Sequence, residues 1–256
     1  MKRTVLITGS TSGIGKGIAI AFAKLGHNII FNGLEKDGEE IAASIAQQYG
    51  IEYLFFPANM LEPAAIRDMV KQANAHFGGI DILVNNAGIQ HVSPVEDFPE
   101  EKWDAILGIN LSAPFHLTKA VWPAMKANQF GRIINIASAH GLVASEFKSA
   151  YVASKHGING FTKTIALEGA PYNITCNSVC PGYVHTPIID KQIDDQMKAN
   201  HMSAEEVVQK VMLAKQAIKE FIPIELIVKA VLFLAEDDSR AITGIALPVE
   251  GGWTAQ

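Results

Sequence analysis

Short apolar runs alternate with longer amphipathic segments along most of this 256-residue chain. Six apolar runs are typical of buried strands: TVLIT, NIIFN, YLFFP, DILVNN, RIINIAS and ITCNSV. Between them, GKGIAIAFAKLG, EEIAASIAQQYG, AIRDMVKQANAHFG and YVASKHGINGFTKTIALEGA carry apolar residues at helical spacing, and several end in glycine, as many helices do. Because parallel strands need a crossover that is usually helical, this alternation predicts an α/β protein with a doubly wound parallel sheet.

The chain shows no linker, internal repeat or low-complexity tract, so we expect a single domain over residues 1–256. One stretch breaks the alternation. Residues 187–221 are polar and helical in propensity, and they lie between the sixth strand and the last helical segment, ELIVKAVLFLA. A segment that long within a compact domain is usually functional, and we expect a lid over the substrate.

Composition excludes several classes of protein. A net charge of -5 without a basic run argues against nucleic acid or an anionic membrane as partner and favours a small-molecule substrate. Cys176 and Cys180 are too few for a disulfide framework, and without a nearby second Cys/His pair they predict no metal site, so we expect buried packing residues. The N-terminus lacks a long apolar stretch, and no run approaches the roughly 18 apolar residues of a membrane span, so we expect a cytoplasmic protein.

Three glycines follow the first strand directly, in the stretch TGSTSGIG: Gly9, Gly13 and Gly15. Glycine permits a tight strand-to-helix turn and lets backbone amides approach a pyrophosphate at the helix N-terminus, where the helix dipole favours an anion. Glycines in turns are common, but this placement favours a dinucleotide cofactor.

The second strand ends at Asn32, followed by Gly33, where dinucleotide folds commonly place an acidic residue that binds the adenosine ribose. No arginine follows to bind a 2′-phosphate, although Lys36 lies nearby. The sequence therefore favours NAD over NADP.

The stretch SAYVASK places Tyr151 and Lys155 four positions apart, on the same face of a helix. A tyrosine has a pKa of roughly 10, and a nearby ammonium favours the phenolate. We therefore expect Lys155 to lower the pKa of Tyr151, which accepts the hydroxyl proton of an alcohol while Ser138 hydrogen-bonds the same oxygen. A surface pair without chemistry is the alternative, because polar pairs at this spacing are abundant.

Four motifs, in order and spacing, resemble those of the short-chain dehydrogenases/reductases over essentially the whole chain. They are TGSTSGIG, NNAG at residues 85–88, Ser138 with YVASK, and PGYVHTP at residues 181–187. The resemblance implies a Rossmann-type, three-layer α/β/α fold and a homotetramer. Two positions depart from the family pattern: Gly33 replaces the usual acidic residue, and Asn59 stands where an aspartate typically holds the adenine.

The same resemblance assigns further residues. Asn110, in GINLSAPF, matches the family's remaining catalytic position and is expected to hold a water in a proton relay, while Lys155 also binds the nicotinamide ribose. The implied cofactor contacts come from the loops that follow the strands: Gly9, Thr11, Ser12, Gly13, Ile14, Gly15, Asn59, Met60, Asn86, Ala87, Gly88, Tyr151, Lys155, Pro181, Gly182, Val184 and Thr186.

Further polar side chains follow strands four, five and six and are expected to meet at the carboxyl edge of the sheet. The patterns NNAGIQH, ASAHGLVAS, KSAYVASKHG, TPIIDKQI and GGWTAQ are similar to those of family members that oxidise (R)-3-hydroxybutyrate. By this resemblance, four side chains bind the substrate carboxylate: Gln90, His140, Lys148 and Gln192. Trp253 belongs to the apolar wall near the methyl group, and Tyr183 occupies a position where we expect Trp in close relatives. Ser138 and Tyr151 contact the reacting oxygen.

The expected reaction is the NAD-dependent interconversion of (R)-3-hydroxybutyrate and acetoacetate. Alternatives within the family are another hydroxy acid, a polyol, a steroid or a 3-oxoacyl thioester. A long apolar substrate needs an apolar cavity and a CoA ester needs basic residues at the rim, and the sequence indicates neither. A nucleotide-sensing protein without chemistry is an alternative of another class, against which the intact Ser138, Tyr151 and Lys155 argue.

Overall fold

The computed structural model describes residues 2–185, 189, 193, 197 and 202–255. Within these residues the central sheet has seven parallel strands in the order β3-β2-β1-β4-β5-β6-β7. The strands are β1 Thr4–Ile7, β2 Asn28–Asn32, β3 Tyr53–Phe56, β4 Ile82–Asn85, β5 Gly131–Ile136, β6 Ile174–Pro181 and β7 Ala246–Val249. The predicted doubly wound α/β fold is confirmed, and the six predicted strands form; β7 was not predicted.

Helices connect the strands and cover both faces of the sheet. They are α1 Gly13–Lys24, α2 Gly38–Tyr49, α3 Pro63–Phe77, α4 Glu100–Leu107, α5 Ala113–Ala127, α6 Ser149–Gly169, α7 Ala204–Glu206 and α8 Ile224–Ala235. A π-helical turn, Gly108–Ser112, joins α4 to α5, and a second one, Val207–Met212, follows α7. Helices α2 and α3 end at Gly50 and Gly78, both in the left-handed conformation that glycine adopts without strain.

The core lies on both faces of the sheet, because alternate side chains of a strand point to opposite sides. From β1, Val5 and Ile7 pack in one layer with residues of α1 and α8, whereas Leu6 packs in the other layer with residues of α3 and α5. Cys176 and Cys180 are buried and unpaired, as expected. In the part of the chain that the structure describes, no helix is long and apolar enough to cross a membrane.

Candidate active site

A cavity of about 510 Å³ opens at the carboxyl ends of the strands, where β1 lies between β2 and β4 and the direction of strand order reverses. This switch point is where doubly wound sheets bind their ligands. The structure brings most of the predicted site residues together around it: Gly9, Ser12, Gly13, Ile14, Asn59, Met60, Asn86, Ala87, Gly88, Gln90, Ser138, His140, Lys148, Tyr151, Lys155, Pro181, Gly182, Tyr183, Val184 and Trp253.

Of the predicted residues that the structure describes, three do not line the cavity: Thr11, Gly15 and Asn110. Thr11 is buried and its hydroxyl donates to Glu35, Gly15 packs against Gly9, and Asn110 lies buried behind the loop that follows β4. Thr186 and Gln192 lie outside the described residues, as does much of the predicted lid.

The glycine loop fits a dinucleotide. Gly9 and Gly13 have φ of 60° and 51°, in the left-handed region that glycine tolerates best. A Cβ on Gly15 would lie 2.1 Å from the Gly9 carbonyl oxygen, so only glycine allows this close approach of helix and loop. Asn86 Nδ2 holds the loop by donating hydrogen bonds to the Thr8 and Gly9 carbonyl oxygens at 2.9 and 3.1 Å. The loop thus leaves a narrow cradle at the N-terminus of α1, as a pyrophosphate requires.

One acidic residue at this end of the cavity was not predicted from the sequence. Glu35 lines the cavity beside Leu34, accepting hydrogen bonds from the Thr11 and Ser12 hydroxyls. Burial raises the pKa of Glu35, but these hydrogen bonds outweigh that effect and the pKa is lowered, so Glu35 is a carboxylate at neutral pH. A Cβ on Gly33 would lie 2.2 Å from Thr11 Oγ1 and 2.6 Å from Glu35 Oε2. Gly33 therefore makes room for an acidic side chain two residues later.

Asn110 lies in the π-helical turn between α4 and α5, a distortion that often marks functional sites. Its Oδ1 accepts a hydrogen bond from Ile89 N, and its Nδ2 donates to the Ile89 carbonyl oxygen, both at 3.0 Å. Nδ2 also donates to Ser154 Oγ at 3.2 Å. Asn110 thus ties the loop after β4 to helix α6; its water-holding role stays a prediction.

Ser138 follows β5, and Tyr151 and Lys155 lie one turn apart on α6, so the predicted catalytic side chains converge. Ser138 lies close enough to Tyr151 for its side chain to lower the pKa of the Tyr151 hydroxyl. Lys155 Nζ lies 5.6 Å from the centroid of the Tyr151 ring and donates to the Ile136 carbonyl oxygen at 2.8 Å. Burial lowers the pKa of Lys155 to about 8, against an opposing interaction with Cys180.

The expected lowering of the Tyr151 pKa is wrong for this structure. Burial raises the pKa of the hydroxyl, the hydrogen bond from Ser138 lowers it, and the interaction with Cys180 raises it, so the pKa lies above its ordinary value. Desolvation disfavours the charged phenolate, and Lys155 directs its ammonium at a backbone carbonyl. Within the described residues, the group that favours the phenolate is Ser138.

The opposite end of the cavity carries donors and aromatic rings. Lys148 Nζ donates to the Tyr183 hydroxyl at 3.4 Å, and burial together with the charge of Lys215 lowers the pKa of Lys148 to about 8. Gln90 Nε2 is buried without a hydrogen-bond partner among the described residues. Trp253 is buried and stacks on Tyr183, with ring centroids 5.6 Å apart. An orphaned donor, an ammonium and an apolar ring that line one cavity suit a small anion with an apolar tail.

His140 is buried beside these groups. Its Nε2 lies 3.0 Å from Ser145 Oγ and its Nδ1 lies 3.5 Å from Ser138 Oγ. Burial and the charges of Lys148, Lys215 and His156 lower its pKa to about 3, so the ring is neutral at physiological pH. Among the described residues, no group of three or more His, Cys, Asp or Glu side chains is arranged to hold a metal ion.

Residues 3–198 match the model of the short chain dehydrogenase family. The chain belongs to this family. This short-chain dehydrogenase is 51% identical over its full length to the full-length D-beta-hydroxybutyrate dehydrogenase of Rhizobium meliloti (strain 1021). It is 48% identical to that of Cupriavidus necator, over 99% of this chain and 98% of the relative. A crystal structure of a single-residue variant of actinorhodin polyketide ketoreductase with NADPH has a TM-score of 0.93 and 31% identity, covering 100% of this chain and 98% of its own.

These similarities agree with a cavity that has one end suited to a cofactor and another suited to a substrate. The dehydrogenase is an oxidoreductase of Rossmann fold, and its cavity suits a nicotinamide cofactor at the glycine loop and a small substrate at the far end. The four motifs predicted from the sequence thus belong to one family, and two close full-length relatives share a single activity.

Proposed function

We propose that this enzyme interconverts (R)-3-hydroxybutyrate and acetoacetate, with NAD as the hydride acceptor. The supporting observation is that the Lys148 ammonium and the unpartnered Gln90 amide line the same cavity as the apolar ring of Trp253. Two relatives of about this length are both named D-beta-hydroxybutyrate dehydrogenase. This similarity favours 3-hydroxybutyrate over the other alcohols of the family as the substrate.

A carboxylate at this end satisfies both groups. Hydrogen bonds to a charged partner are stronger than neutral ones, and the ammonium of Lys148 regains an anionic partner in the buried site. Gln192 and His140 are the other expected donors. Because the substrate has four carbons, its methyl group then lies against Trp253 and its carbinol carbon lies near Ser138 and Tyr151.

The catalytic side chains act on the reacting oxygen. Ser138 donates a hydrogen bond to it, and Tyr151 accepts the hydroxyl proton as the alcohol is oxidised. Lys155 and the glycine loop hold the cofactor, and the nicotinamide ring supplies the hydride acceptor when NAD is bound. Anchoring the carboxylate at one end and the methyl group at the other directs the carbinol hydrogen of one enantiomer at that ring, which gives stereoselectivity.

NAD is preferred because Glu35 lies where the adenosine ribose is expected, beside the glycine loop. A carboxylate accepts hydrogen bonds from the ribose hydroxyls, whereas it repels the 2′-phosphate of NADP. The solved ketoreductase carries NADPH, so the fold itself accommodates a 2′-phosphate and the preference depends on individual residues.

Three wider features belong to the same proposal. The enzyme assembles as a homotetramer, acts in the cytoplasm in hydroxybutyrate metabolism, and forms one domain in which residues 187–221 close over the substrate. A mass measurement in solution tests the assembly, and hydrogen exchange with and without NAD and a substrate analogue tests the closure.

The experiment that tests the activity is a substrate panel followed by nicotinamide absorbance. It compares both enantiomers of 3-hydroxybutyrate with a polyol, a steroid and a 3-hydroxyacyl thioester, each with NAD and with NADP. The proposal expects the highest kcat/KM for the (R) acid with NAD. A higher value for the thioester or the polyol would assign the enzyme to one of the alternatives.

A further inference from the structure

The phenol of Tyr183 lines the cavity together with Lys148, and its oxygen accepts a hydrogen bond from Lys148 Nζ at 3.4 Å. Nζ also lies 5.6 Å from the centroid of the Tyr183 ring. Among the described residues, this oxygen is the one hydrogen-bond acceptor that Lys148 has, and the Tyr183 hydroxyl proton has no acceptor there. An ammonium carries several donors. Both side chains therefore keep a donor for a ligand in the cavity.

The Tyr183 ring is held by stacking and by its backbone. It stacks on Trp253, with ring centroids 5.6 Å apart and an interplanar angle of 12°. Its N–H donates to Gln216 Oε1 at 3.1 Å, and its carbonyl oxygen accepts from Ile222 N at 2.8 Å. Gln216 is itself buried and donates from Nε2 to the Glu220 carbonyl oxygen at 2.9 Å. A phenol fixed in this way loses little conformational freedom when it binds a ligand.

The Tyr183 hydroxyl keeps its proton at neutral pH. Burial first, and the charge of Tyr151 second, raise the pKa of Tyr183 to about 12. Because an ammonium has no acceptor, Lys148 is the donor in its contact with the phenol, and the hydroxyl proton is not used there. Hydrogen bonds in a chain polarise one another, so a phenol that accepts from a cation is a stronger donor. Its proton is available to an anion.

We infer that the Tyr183 hydroxyl is a further hydrogen-bond donor to the substrate carboxylate, acting beside Lys148. The inference rests on the proposed function, and it adds a phenol to the other expected donors, whose roles are unchanged: Gln90, His140 and Gln192. Tryptophan, the residue expected here in close relatives, has a donor and no acceptor, so it could not accept from Lys148. The coupling of the ammonium to a second donor therefore requires tyrosine.

The test replaces Tyr183 by phenylalanine, which removes the hydroxyl and keeps the ring. Acetate is the probe, because it carries the carboxylate with only a methyl group. Its Kd for the enzyme without cofactor, measured by ligand-observed NMR, should rise about tenfold or more in Tyr183→Phe. Tyr172→Phe is the matched control, since Tyr172 also lies beside a lysine, with Lys126 Nζ 4.3 Å from its ring centroid, and does not line the cavity. The control should leave the Kd unchanged.

A second comparison separates direct contact from an effect through Lys148. In a Lys148→Met background, Tyr183→Phe should still weaken acetate binding, by a smaller factor, because the phenol keeps its proton but lacks the cation that polarises it. Turnover gives a further readout. Tyr183→Phe should raise the KM for 3-hydroxybutyrate and change kcat little, and the methyl ester should be affected far less.

Three results would overturn the inference. They are a wild type that binds no acetate, an equal acetate Kd in the wild type and Tyr183→Phe, and no effect of Tyr183→Phe in the Lys148→Met background. Acetate binding is measured without cofactor or turnover. It is therefore decided separately from the assignment to 3-hydroxybutyrate, which the substrate panel tests.

Discussion

Lys148 donates a hydrogen bond from Nζ to the Tyr183 hydroxyl at 3.4 Å, and the Tyr183 ring stacks on Trp253 with an interplanar angle of 12°. The aromatic pair therefore holds the buried ammonium at the substrate end of the cavity. Burial first, and the charge of Lys215 second, lower the pKa of Lys148 to about 8. An anion at this end therefore stabilises a charge that the protein alone supports poorly.

The selectivity for the acid over its ester should depend on pH through the titration of Lys148. Lys148 is charged below its pKa, so selectivity for the acid is present at neutral pH and lost as the pH rises through about 8. The ratio of kcat/KM for 3-hydroxybutyrate to that for its methyl ester should therefore fall above this pH, and taking the ratio cancels the titration of Tyr151. Lys148→Arg should flatten the profile, because arginine remains charged. An identical fall in the arginine variant would mean that another group titrates.

Replacing Tyr151 by phenylalanine should lower kcat by about 100-fold to 10,000-fold, the usual contribution of a general acid-base group. The ring is preserved while the proton acceptor is lost, so the Kd for NAD should stay near the wild-type value. Titration calorimetry with NAD and steady-state turnover measure the two quantities. Near-normal turnover in a folded variant would contradict the role of Tyr151.

Gln90 offers a test in which stability and function move in opposite directions. Its buried Nε2 has no partner among the described residues, and an unsatisfied buried donor costs about 1 to 3 kcal/mol. Gln90→Met keeps the unbranched shape and removes the amide, so the free energy of unfolding should rise by about 1 kcal/mol. The KM for 3-hydroxybutyrate should rise at the same time. A less stable variant with unchanged KM would show that the amide serves the fold and not the substrate.

Cofactor preference should depend on Glu35. Glu35→Gln keeps the shape of the side chain and removes its charge, so repulsion of the 2′-phosphate is lost. The ratio of kcat/KM for NADP to that for NAD should rise about tenfold or more. Glu40→Gln is the matched control, since Glu40 is an exposed acid of α2 that does not line the cavity. An equal change in both variants would indicate a general effect of net charge.

Local patterns were sufficient to predict most of the sheet and the converging motifs. Strands β1 to β4 are mostly apolar, because both faces of a parallel sheet are covered, whereas β5 and β6 also carry buried polar side chains such as Arg132 and Asn177. Strand β7 was not predicted, because Ala246–Val249 has only four residues and contains a proline. Glycine spacing and the Tyr-x-x-x-Lys pattern are local, so the sequence was sufficient to predict that these residues lie around one cavity.

The missed features depend on contacts between distant residues. Glu35 matters because Gly33 leaves room for its carboxylate beside Thr11, which no pattern within one strand indicates. The pKa of Tyr151 was predicted with the wrong sign because spacing identifies a neighbouring Lys155 but not the degree of burial. The contact of Lys148 with Tyr183 exists only in the folded chain.

The most direct test of the carboxylate site is the effect of Lys148→Ala on kcat/KM for (R)-3-hydroxybutyrate and for its methyl ester. Hydrogen bonds to charged groups contribute roughly 1.5 to 3 kcal/mol, so the acid should lose about tenfold to 150-fold in kcat/KM. The ester carries no charge and should lose far less. An equal loss for acid and ester, or a wild-type enzyme that prefers the ester, would contradict the carboxylate site and the assignment to 3-hydroxybutyrate with it.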